Sequence, residues 1–488
     1  MKFHSKVTQS TKVEADLLAV FAGSEEAKKV DTALGGMLFQ LARDEGFEES
    51  KENQFLLHTH GKIAAKRVLL VGLGKSDKPT PSHIQMVMAS IGRKAREVGA
   101  KTLAVSLPKE LSSQTAVEGL ILGTYAFTKH KSRSAKDKEK HIEDVLILTT
   151  PPRLDAVAAG IGRGEVASRA VVSARDLINE SPSTTTPAYL ADTAKKLAKS
   201  NDLITCEVFG PNELRQFGME ALLGISRGSD EEPRFIRLSY SGGGNKTVCL
   251  VGKGITFDTG GLSLKDAKNM ETMKLDMAGA AAILGVFSVL PVLKPKVNVV
   301  GLIASCENMP GSKAIKPGDV VRAMNGKTIE ILDTDAEGRV VLADALSYAG
   351  AKLNADTIID LATLTGACMV ALGEEVAGMF TDDEALGRQL KSAAYASGEH
   401  VWELPLVPQY KDELKSDIAD VKNIAHTRYG GAINGALFLA EFAPGGVPWA
   451  HLDIAGPAWA EKDAPLTPKG GTGFGVRMIL EFLETYSR

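Results

Sequence analysis

Cysteine and aromatic residues are scarce in this sequence of 488 residues. Phe, Trp and Tyr together make up 6% of the chain, and the four cysteines (Cys206, Cys249, Cys306 and Cys368) stand far apart without a C-x-x-C pair. Disulfide frameworks and structural zinc sites need cysteines at short, regular spacings. The sequence therefore predicts reduced core thiols in a cytosolic protein.

Neither sign of charge dominates the sequence. There are 57 basic and 60 acidic residues, a formal net charge of −3, so no broad basic surface for nucleic acid or membrane is expected. The first ten residues lack the apolar segment of a signal peptide. One uncharged run, 277–293, reaches the short limit of a membrane span, but its Ala and Gly content and Pro291 favour a buried helix that ends in a turn. We expect a cytoplasmic protein without a membrane partner.

The pattern of the first third indicates an α/β domain. The chain is 44% hydrophobic and 24% charged, which is ordinary globular composition for two or three domains. Apolar β-type runs alternate with amphipathic helical segments, which predicts a mainly parallel sheet. The predicted strands are 16–22, 67–71 and 102–107, and the predicted helices are 82–97 and 115–128. We assign 1–150 to an N-terminal domain, 151–180 to a connecting helix and 181–488 to a larger second domain.

Two segments of the first domain resemble functional motifs. The run R-V-L-L-V-G-L-G-K-S at 67–76 resembles a phosphate loop, but Leu69 and Asp77 occupy positions where the two nucleotide-binding motifs need glycine. It is interpreted as a turn at a strand end. The basic run at 129–140 is typical of a solvated loop. Nucleic-acid binding is its minor alternative, because no aromatic residues are interleaved with the charges.

An acidic pair stands out in L-D-T-D-A-E-G-R-V-V-L at 332–342. In an extended chain, Asp335 and Glu337 would point to the same face, and an apolar run follows them at once. Carboxylates are rarely buried unless they are paired or hold a metal. Taken alone, the segment is either an acidic turn punctuated by Gly338 or a metal or charge site, and both interpretations stay open.

A second group of charges lies in a glycine-dense segment that follows an apolar strand from residue 247. It contains Lys253, Asp258 and Lys265, and a predicted helix with Asp276 near its start comes next. An unpaired charge among Gly, Ala and β-branched residues is costly. These groups are either buried ion pairs, or carboxylates that bind divalent cations while the lysines and Arg339 serve a substrate. Mg²⁺, Mn²⁺ and Zn²⁺ accept such oxygen ligands, and the sequence has no H-E-x-x-H motif.

The segment D-T-D-A-E-G-R at 333–339 closely resembles the signature N-T-D-A-E-G-R of the leucyl aminopeptidase family of metallopeptidases. The resemblance covers about residues 170–485 and departs from the family pattern in Asp333, which replaces Asn, and in N-E-S-P-S at 179–183. The other matching blocks, in family order, are V-G-K-G-I-T-F-D-T-G-G (251–261), M-K-L-D-M (273–277), E-N-M-P (307–310), P-G-D-V (317–320), L-A-T-L-T-G-A (361–367), W-A-H-L-D-I-A-G-P-A-W (449–459) and T-P-K-G-G-T-G-F-G-V-R (467–477).

This resemblance implies a fold and an activity. The fold would be a small N-terminal α/β domain followed by a larger α/β catalytic domain with a central mixed sheet flanked by helices, assembled as a homohexamer. The enzyme would release leucine and other mainly apolar residues from the N-termini of peptide substrates. Its cofactors would be two divalent metal ions per subunit, Zn²⁺ or Mn²⁺ with Mg²⁺ or Co²⁺ as alternatives, and bicarbonate. Some bacterial relatives also bind DNA, which gives an alternative, additional role.

The resemblance also implies residue roles at matching positions. Arg339 would hold the bicarbonate that acts as general base, and Lys265 would stabilise the developing oxyanion. The extra charge of Asp333 is expected to alter metal preference or pH profile without abolishing binding. The metal ligands would be Lys253, Asp258, Asp276 and Glu337 for one ion and Asp258, Asp335 and Glu337 for the other, so that Asp258 and Glu337 bridge. The pocket for the first side chain would be formed by Met273, Thr363 and Gly366, with a place in the core as the alternative for Met273.

Overall fold

The computed structural model describes residues 1–51, 53–74, 79–136 and 140–486. The chain divides into two units, a smaller one formed by 1–168 with 463–468 and a larger one formed by 169–462 with the chain from 469 onward. The division falls inside helix Leu154–Asn179, within the segment 151–180 that is predicted above to connect two domains. Residues 75–78 of the phosphate-loop-like turn and residues 137–139 of the basic run lie outside the described residues.

The smaller unit alternates strands and helices, as the sequence predicts. Its elements are β1 (Lys2–Val7), β2 (Leu17–Phe21), α1 (Glu25–Ala33), α2 (Met37–Asp44), β3 (Gln54–His58), β4 (Arg67–Val71), α3 (Pro81–Glu97), β5 (Thr102–Ser106), α4 (Ser113–Gly123), α5 (Arg133–Lys136), β6 (Asp144–Thr149) and the first part of α6 (Leu154–Asn179), with 3₁₀ turns at Ser10–Lys12 and Pro151–Arg153. Helix α4 starts earlier than predicted because the hydroxyl of Ser112 accepts the backbone N–H of Thr115 and caps its first turn. It also ends earlier, at Gly123.

The sheet of the smaller unit has the strand order β1-β6-β5-β2-β4-β3, in which β3 at the edge is antiparallel to β4 and the other neighbours are parallel. All five residues of β2 are buried. Leu17 and Ala19 belong to one hydrophobic cluster, while Leu18 and Val20 belong to another. Parallel strands are covered on both faces, which explains why this strand is an unbroken apolar run rather than an alternating one.

The larger unit begins with the second part of α6 and contains a long series of short elements. They are α7 (Pro187–Lys199), β7 (Ile204–Phe209), α8 (Pro211–Phe217), α9 (Glu220–Ser226), β8 (Arg234–Tyr240), β9 (Thr247–Asp258), α10 (Ala267–Met270), α11 (Ala278–Phe287), α12 (Leu290–Leu293), β10 (Asn298–Asn308), β11 (Val320–Arg322), β12 (Thr328–Glu330), α13 (Glu337–Lys352), β13 (Thr357–Ala362), α14 (Gly366–Leu372), β14 (Val376–Thr381), α15 (Glu384–Ser397), β15 (His400–Glu403), β16 (Val421–Lys422), α16 (Gly431–Ala440), β17 (Trp449–Asp453), β18 (Trp459–Ala460), β19 (Gly470–Gly471) and α17 (Val476–Tyr486), with 3₁₀ helices at Met273–Met277 and Pro408–Leu414.

The main sheet of the larger unit is mixed and has the order β15-β14-β17-β13-β9-β10-β8-β7. The four central strands, β17, β13, β9 and β10, run parallel, and antiparallel pairs join them to β14 and β8. Helices cover both faces. Cys249 and Val251 of β9 pack in one cluster with Val340 of α13, whereas a Cβ added at Gly252 would lie 2.8 Å from Ile283 of α11. The predicted fold class, with a central mixed sheet flanked by helices, is confirmed.

The uncharged run that was tested as a membrane span lies in the core of the larger unit. In the described part of the chain, Met273–Leu293 is the one stretch long and apolar enough to cross a membrane, and 83% of its most apolar window is buried inside the protein. The predicted buried helix is α11, which ends at Phe287, and Pro291 lies in the first turn of the separate helix α12. Asp276 lies in the preceding 3₁₀ helix and not in the α-helix.

Helix α13 carries a buried acid outside the predicted site. Asp344 is fully buried, and its two carboxylate oxygens accept the backbone N–H groups of Leu222 and Met324, each at 2.8 Å. Burial raises the pKa of Asp344 to about 7, although the backbone donors act in the opposite direction. The side chain therefore ties the first turn of α9 and the segment after β11 to α13, at the cost of burying an ionisable group.

We predict that Asp344→Ala destabilises the larger unit by on the order of 2 kcal/mol at pH 5, because it leaves two buried N–H groups without an acceptor. The folded-state pKa of Asp344 lies above its ordinary value. The contribution of Asp344 to the free energy of unfolding is therefore present at low pH and is lost as the pH rises through about 7. Thermal midpoints measured from pH 5 to pH 8 should show the gap between wild type and variant narrowing. Glu384→Ala, a change at an exposed acid, is the control, and a gap that widens with pH would contradict the assignment.

Candidate metal centre and active site

The parallel strands of the larger sheet bring their carboxyl ends to one edge. Asn308 ends β10, Asp258 ends β9 and Asp453 ends β17, while Thr363 follows the last residue of β13. Ligand sites of α/β sheets form outside the carboxyl ends of parallel strands. This edge of the sheet is therefore where polar groups far apart in the sequence can meet.

Asp258 is aimed by an irregularity at the end of its strand. Ile255 pairs with Cys306 but Asp258 pairs with Asn308, so β9 contains one residue more than β10 over this interval. Such a bulge bends a strand and redirects its side chains. One carboxylate oxygen of Asp258 accepts the side-chain amide of Asn308 at 2.8 Å and the N–H of Gly260 at 2.9 Å. The other oxygen faces the ammonium of Lys265 at 2.9 Å.

Lys253 lies at the centre of a buried ion cluster. Its side chain is 4% exposed, and its Nζ contacts Asp276 Oδ1 at 2.7 Å, Glu337 Oε1 at 2.8 Å and the carbonyl oxygen of Thr363 at 2.9 Å. All three ammonium protons thus have an acceptor. Burial opposes the charged form, but the nearby carboxylates of Asp276, Glu337 and Asp258 outweigh it and raise the pKa of Lys253. Without a metal, this lysine is a cation.

Lys265 approaches the same carboxylates from the loop that follows β9. The loop turns through Gly260 and Gly261 at φ +82° and +64°, a left-handed conformation that glycine adopts without strain. Lys265 Nζ contacts Asp335 Oδ1 as well as Asp258 Oδ2. Burial opposes its charge, but these carboxylates raise the pKa of Lys265 overall. Its side chain is 15% exposed, so the cation reaches the pocket described below.

The two-residue spacing suggested that the acidic pair lies on an extended chain, but it does not. The chain turns at 333–336, and Glu337 is the first residue of α13. The carboxylate of Asp333 accepts the N–H of Asp335 at 2.9 Å, an Asx-type turn. A turn and a helix start, rather than strand alternation, bring the two acids together. Carboxylate oxygens of Asp258, Asp335 and Glu337 all lie within 4.8 Å of one another.

The charges of this cluster fit divalent cations. Asp276 Oδ2 and Glu337 Oε2 are buried and have no hydrogen-bond partner among the described residues. Burial raises the pKa values of Asp276 and Glu337, and it raises that of Asp335 to about 6. Four carboxylates face two lysines, so ionising all of them leaves excess negative charge in a desolvated site, which is costly. Oxygen donors in this number and arrangement suit Zn²⁺, Mn²⁺ or Mg²⁺.

A pocket of about 590 Å³ opens onto the cluster and brings nine of the ten predicted site residues together. Arg339, the tenth, is not among its lining residues. The guanidinium of Arg339 is buried, its Nη1 donates to the carbonyl oxygen of Asn423 at 2.9 Å, and burial lowers its pKa. The predicted residues that line the pocket are Lys253, Asp258, Lys265, Met273, Asp276, Asp335, Glu337, Thr363 and Gly366.

Two residues that support the site were not singled out from the sequence. Asn308 orients Asp258, as described above. Asp453 is fully buried and accepts the N–H of Leu364 at 3.1 Å and the hydroxyl of Thr365 at 2.6 Å, which fixes the loop after β13. From that loop, the hydroxyl of Thr363 donates to Asp276 Oδ1 at 2.7 Å. The sequence signal that could have identified them is a polar residue at the end of an apolar strand, in the blocks E-N-M-P and W-A-H-L-D-I-A-G.

A carboxylate-rich, lysine-containing cluster at the carboxyl edge of a mixed α/β sheet is the arrangement expected of a metal-dependent enzyme. Comparison with protein families identifies the class of enzyme more narrowly. The description "cytosol aminopeptidase family, catalytic domain" matches residues 172–480, and "cytosol aminopeptidase family, N-terminal domain" matches residues 18–134. The chain belongs to the cytosol aminopeptidase family. It is an aminopeptidase, a metal-dependent exopeptidase that acts on peptides, and the resemblance found in the sequence is confirmed.

Individual relatives cover nearly the whole chain. A probable cytosol aminopeptidase of Alkaliphilus metalliredigens is 40% identical over 469 residues, covering 94% of this chain and 93% of the relative. One of Geobacter sp. (strain M21) is 44% identical and covers 93% of both chains. Among solved structures, a tomato leucine aminopeptidase mutant superposes with a TM-score of 0.89 at 34% identity, covering 99% of this chain and 96% of its own. The bottromycin maturation enzyme BotP in complex with Mn gives 0.86 at 35% identity, covering 97% and 100%.

We predict that Gly338→Ala impairs the site although alanine favours a helix by about 1 kcal/mol. A Cβ at this position would lie 2.5 Å from Cε and 2.6 Å from Nζ of Lys253. The lysine side chain could move away only by breaking the three contacts of its Nζ. A displacement of about 1 Å in an active site typically costs about 100-fold in rate, so metal-loaded aminopeptidase activity should fall by about that factor. Gly162→Ala, at a helical glycine with no neighbour within 4 Å, is the matched control. Full activity of Gly338→Ala would contradict this assignment of Lys253.

Proposed function

We propose that this chain removes leucine and other mainly apolar residues from the N-termini of peptides, with two divalent metal ions in the carboxylate cluster. The observation that carries the proposal is the convergence on one pocket of five side chains with metal-ligating atoms, with two buried carboxylate oxygens left without a partner among the described residues. We further propose that the enzyme works in the cytoplasm as a homohexamer, as the family resemblance implies.

The donor set divides into two overlapping groups. Lys253, Asp258, Asp276 and Glu337 would hold one ion, and Asp258, Asp335 and Glu337 the other, with Zn²⁺ or Mn²⁺ as the first candidates and Mg²⁺ or Co²⁺ as alternatives. When bound, a pair of such ions stabilises developing negative charge and makes water a better nucleophile at neutral pH. Lys253 ligates only as the neutral amine, so loading the site releases its proton.

The side chains themselves supply charge and orientation. Lys265 is a partly exposed cation at the cluster, which suits stabilisation of the oxyanion that develops on the scissile carbonyl. Arg339 is buried and forms no ion pair within 4.0 Å among the described residues. Its planar fork suits a planar bidentate anion, which supports bicarbonate as the bound general base.

The pocket supports specificity for the first residue of a peptide. The free α-amino group of a substrate would occupy a coordination position of a bound ion, which would restrict hydrolysis to the first residue of the peptide. Met273, Thr363 and Gly366 border the pocket, and a Cβ added at Gly366 would meet no atom within 4 Å, which leaves space for a large apolar side chain. The sequence feature that favours DNA binding is the basic run at 129–140 alone, and its residues 137–139 lie outside the described residues.

We predict that the protein loaded with Zn²⁺ or Mn²⁺ hydrolyses leucine amide, that a chelator abolishes this activity and that metal restores it. Asp335→Ala and Glu337→Ala should each lower kcat/KM by at least about 100-fold, beyond the range found for residues that only orient metal ligands. Circular dichroism should show the native fold in both variants. Asp412→Ala, at an exposed acid paired with Lys415, serves as control. Metal-loaded wild type without any hydrolysis would refute the proposal.

A second prediction concerns the residue that departs from the family signature. Asp333→Asn keeps the oxygen that accepts the N–H of Asp335, so the thermal midpoint should stay within the change expected for about 0.5 kcal/mol. The substitution removes one negative charge next to the cluster, so affinity for divalent metal should fall. Titration calorimetry with Mn²⁺ on metal-free protein measures the metal affinity of the wild type and of Asp333→Asn. Equal affinities would show that the charge of Asp333 does not reach the metal centre.

A further inference from the structure

Asn423 lies outside every segment assigned to the site from the sequence, yet it is fully buried beside the signature turn. It directly follows strand β16, which pairs in parallel with β12. Its own N–H continues that ladder by donating to the carbonyl oxygen of Glu330 at 2.9 Å. The three-stranded sheet therefore delivers Asn423 to the point where the chain leaves β12 and enters the turn that carries Asp335.

The side-chain amide of Asn423 binds the backbone on both sides of this turn. Its Oδ1 accepts the N–H of Leu332 at 2.8 Å and, at the long limit, that of Asp333 at 3.4 Å. Its Nδ2 donates to the carbonyl oxygen of Asp333 at 2.6 Å and, again at the long limit, to that of Ala336 at 3.5 Å. One buried amide thus links the residues that precede Asp335 to the residue that precedes Glu337.

The main chain of Asn423 contacts the third functional residue of the same segment. Its carbonyl oxygen accepts the hydrogen bond from Arg339 Nη1 at 2.9 Å. The opposite side of the turn is held separately: the hydroxyl of Thr334 donates to the carbonyl oxygen of Gly260 and accepts the N–H of Ser263 at 2.8 Å. The turn is therefore clamped between the lysine-bearing loop on one side and Asn423 on the other.

Only an amide side chain meets all the demands of this position. An asparagine oxygen accepts two hydrogen bonds and its nitrogen donates two, which matches the two N–H groups and the two carbonyl groups that face it. Aspartate has the same shape and keeps the acceptor, but it cannot donate and would place a charge against two carbonyl oxygens. Alanine removes every side-chain contact and leaves buried backbone groups unpaired.

We propose that Asn423 is a positioning residue of the metal centre: it fixes the spacing of Asp335 and Glu337 and the orientation of Arg339. This inference rests on the function proposed above. Residues that hold metal ligands through hydrogen bonds typically change metal affinity by about 10–100-fold when they are replaced. Asn423 acts in this way through the backbone of the turn rather than through a ligand side chain.

The test compares Asn423→Asp and Asn423→Ala with the same two substitutions at Asn298. The side chain of Asn298 makes a similar clamp, donating to the carbonyl oxygen of Gly244 at 2.8 Å and accepting the N–H of Gly242 at 3.2 Å. It starts β10, the strand that Asn308 ends, so it lies roughly 30 Å from the site by strand rise. Titration of metal-free protein with Mn²⁺ gives the dissociation constant, and thermal unfolding gives the stability.

We expect both Asn423 variants to bind Mn²⁺ about 10–100-fold more weakly than wild type. The Asn298 variants should lose comparable stability and keep the affinity of wild type for Mn²⁺. At saturating Mn²⁺, the bicarbonate concentration for half-maximal activity should rise in Asn423→Ala. If Asn423→Ala does not fold, Asn423→Asp decides the question. Wild-type affinity for Mn²⁺ in the Asn423 variants, or an equal loss of Mn²⁺ affinity in the Asn298 variants, would overturn the positioning role. An unchanged bicarbonate requirement in Asn423→Ala would overturn the proposal that Asn423 orients Arg339.

A separate measurement distinguishes this inference from the proposed function. If the wild type bound no metal and hydrolysed no peptide, the proposed function would fail, but the clamp could still be assessed by amide hydrogen exchange of residues 332–337 in metal-free protein. Faster exchange in Asn423→Asp, with unchanged exchange in the Asn298 variants, would support the clamp. Identical exchange in wild type and Asn423→Asp would overturn it.

Discussion

The buried ammonium of Lys253 is the interaction on which the larger unit's functional edge depends. Four elements meet at this one nitrogen: β9 supplies the lysine, the 3₁₀ helix supplies Asp276, α13 supplies Glu337, and the chain after β13 supplies the carbonyl of Thr363. A cation in a nearly dry environment is tolerated only when each of its donors has a partner. The positions of the central strands and of α13 are therefore coupled to the charge balance of the site, and the glycine at 338 gives the lysine its room.

Much of this architecture follows from patterns in the sequence, because strand and helix periodicity are local properties. The bounds of β2, β4, β5 and α3 were predicted to within one residue, and α6 lies inside the predicted connecting helix. The predicted end of α4 was five residues too late, and β1, β3, β6, α1 and α2 were not predicted individually. The order of the sequence motifs identified five candidate metal ligands, and in the fold they line one pocket. They are Lys253, Asp258, Asp276, Asp335 and Glu337. Their roles as metal ligands stay a proposal, but their proximity is a property of the fold itself.

The parts that escaped prediction depend on contacts between distant segments. The spacing of Asp335 and Glu337 suggested an extended chain. Instead, the N–H of Asp335 donates to the carboxylate of Asp333, and together with the start of α13 this produces a turn. Asn308, Asn423 and Asp453 act on loops that are 26 to 91 residues away in sequence. No local pattern separates such an asparagine or aspartate from an ordinary polar residue at the end of a strand.

The convergence of parallel strand ends also has a consequence for the order of events during synthesis. The residues around the site extend from Lys253 to Asp453. Contacts such as Lys253 with Thr363 and Asp453 with Leu364 therefore close long loops, and non-local parallel pairings form slowly. Strand β17 carries Asp453, lies between β13 and β14, and is synthesised well after Lys253 and Asp335. A nascent chain therefore exposes the acids and lysines of the cluster unassembled until β17 has been made.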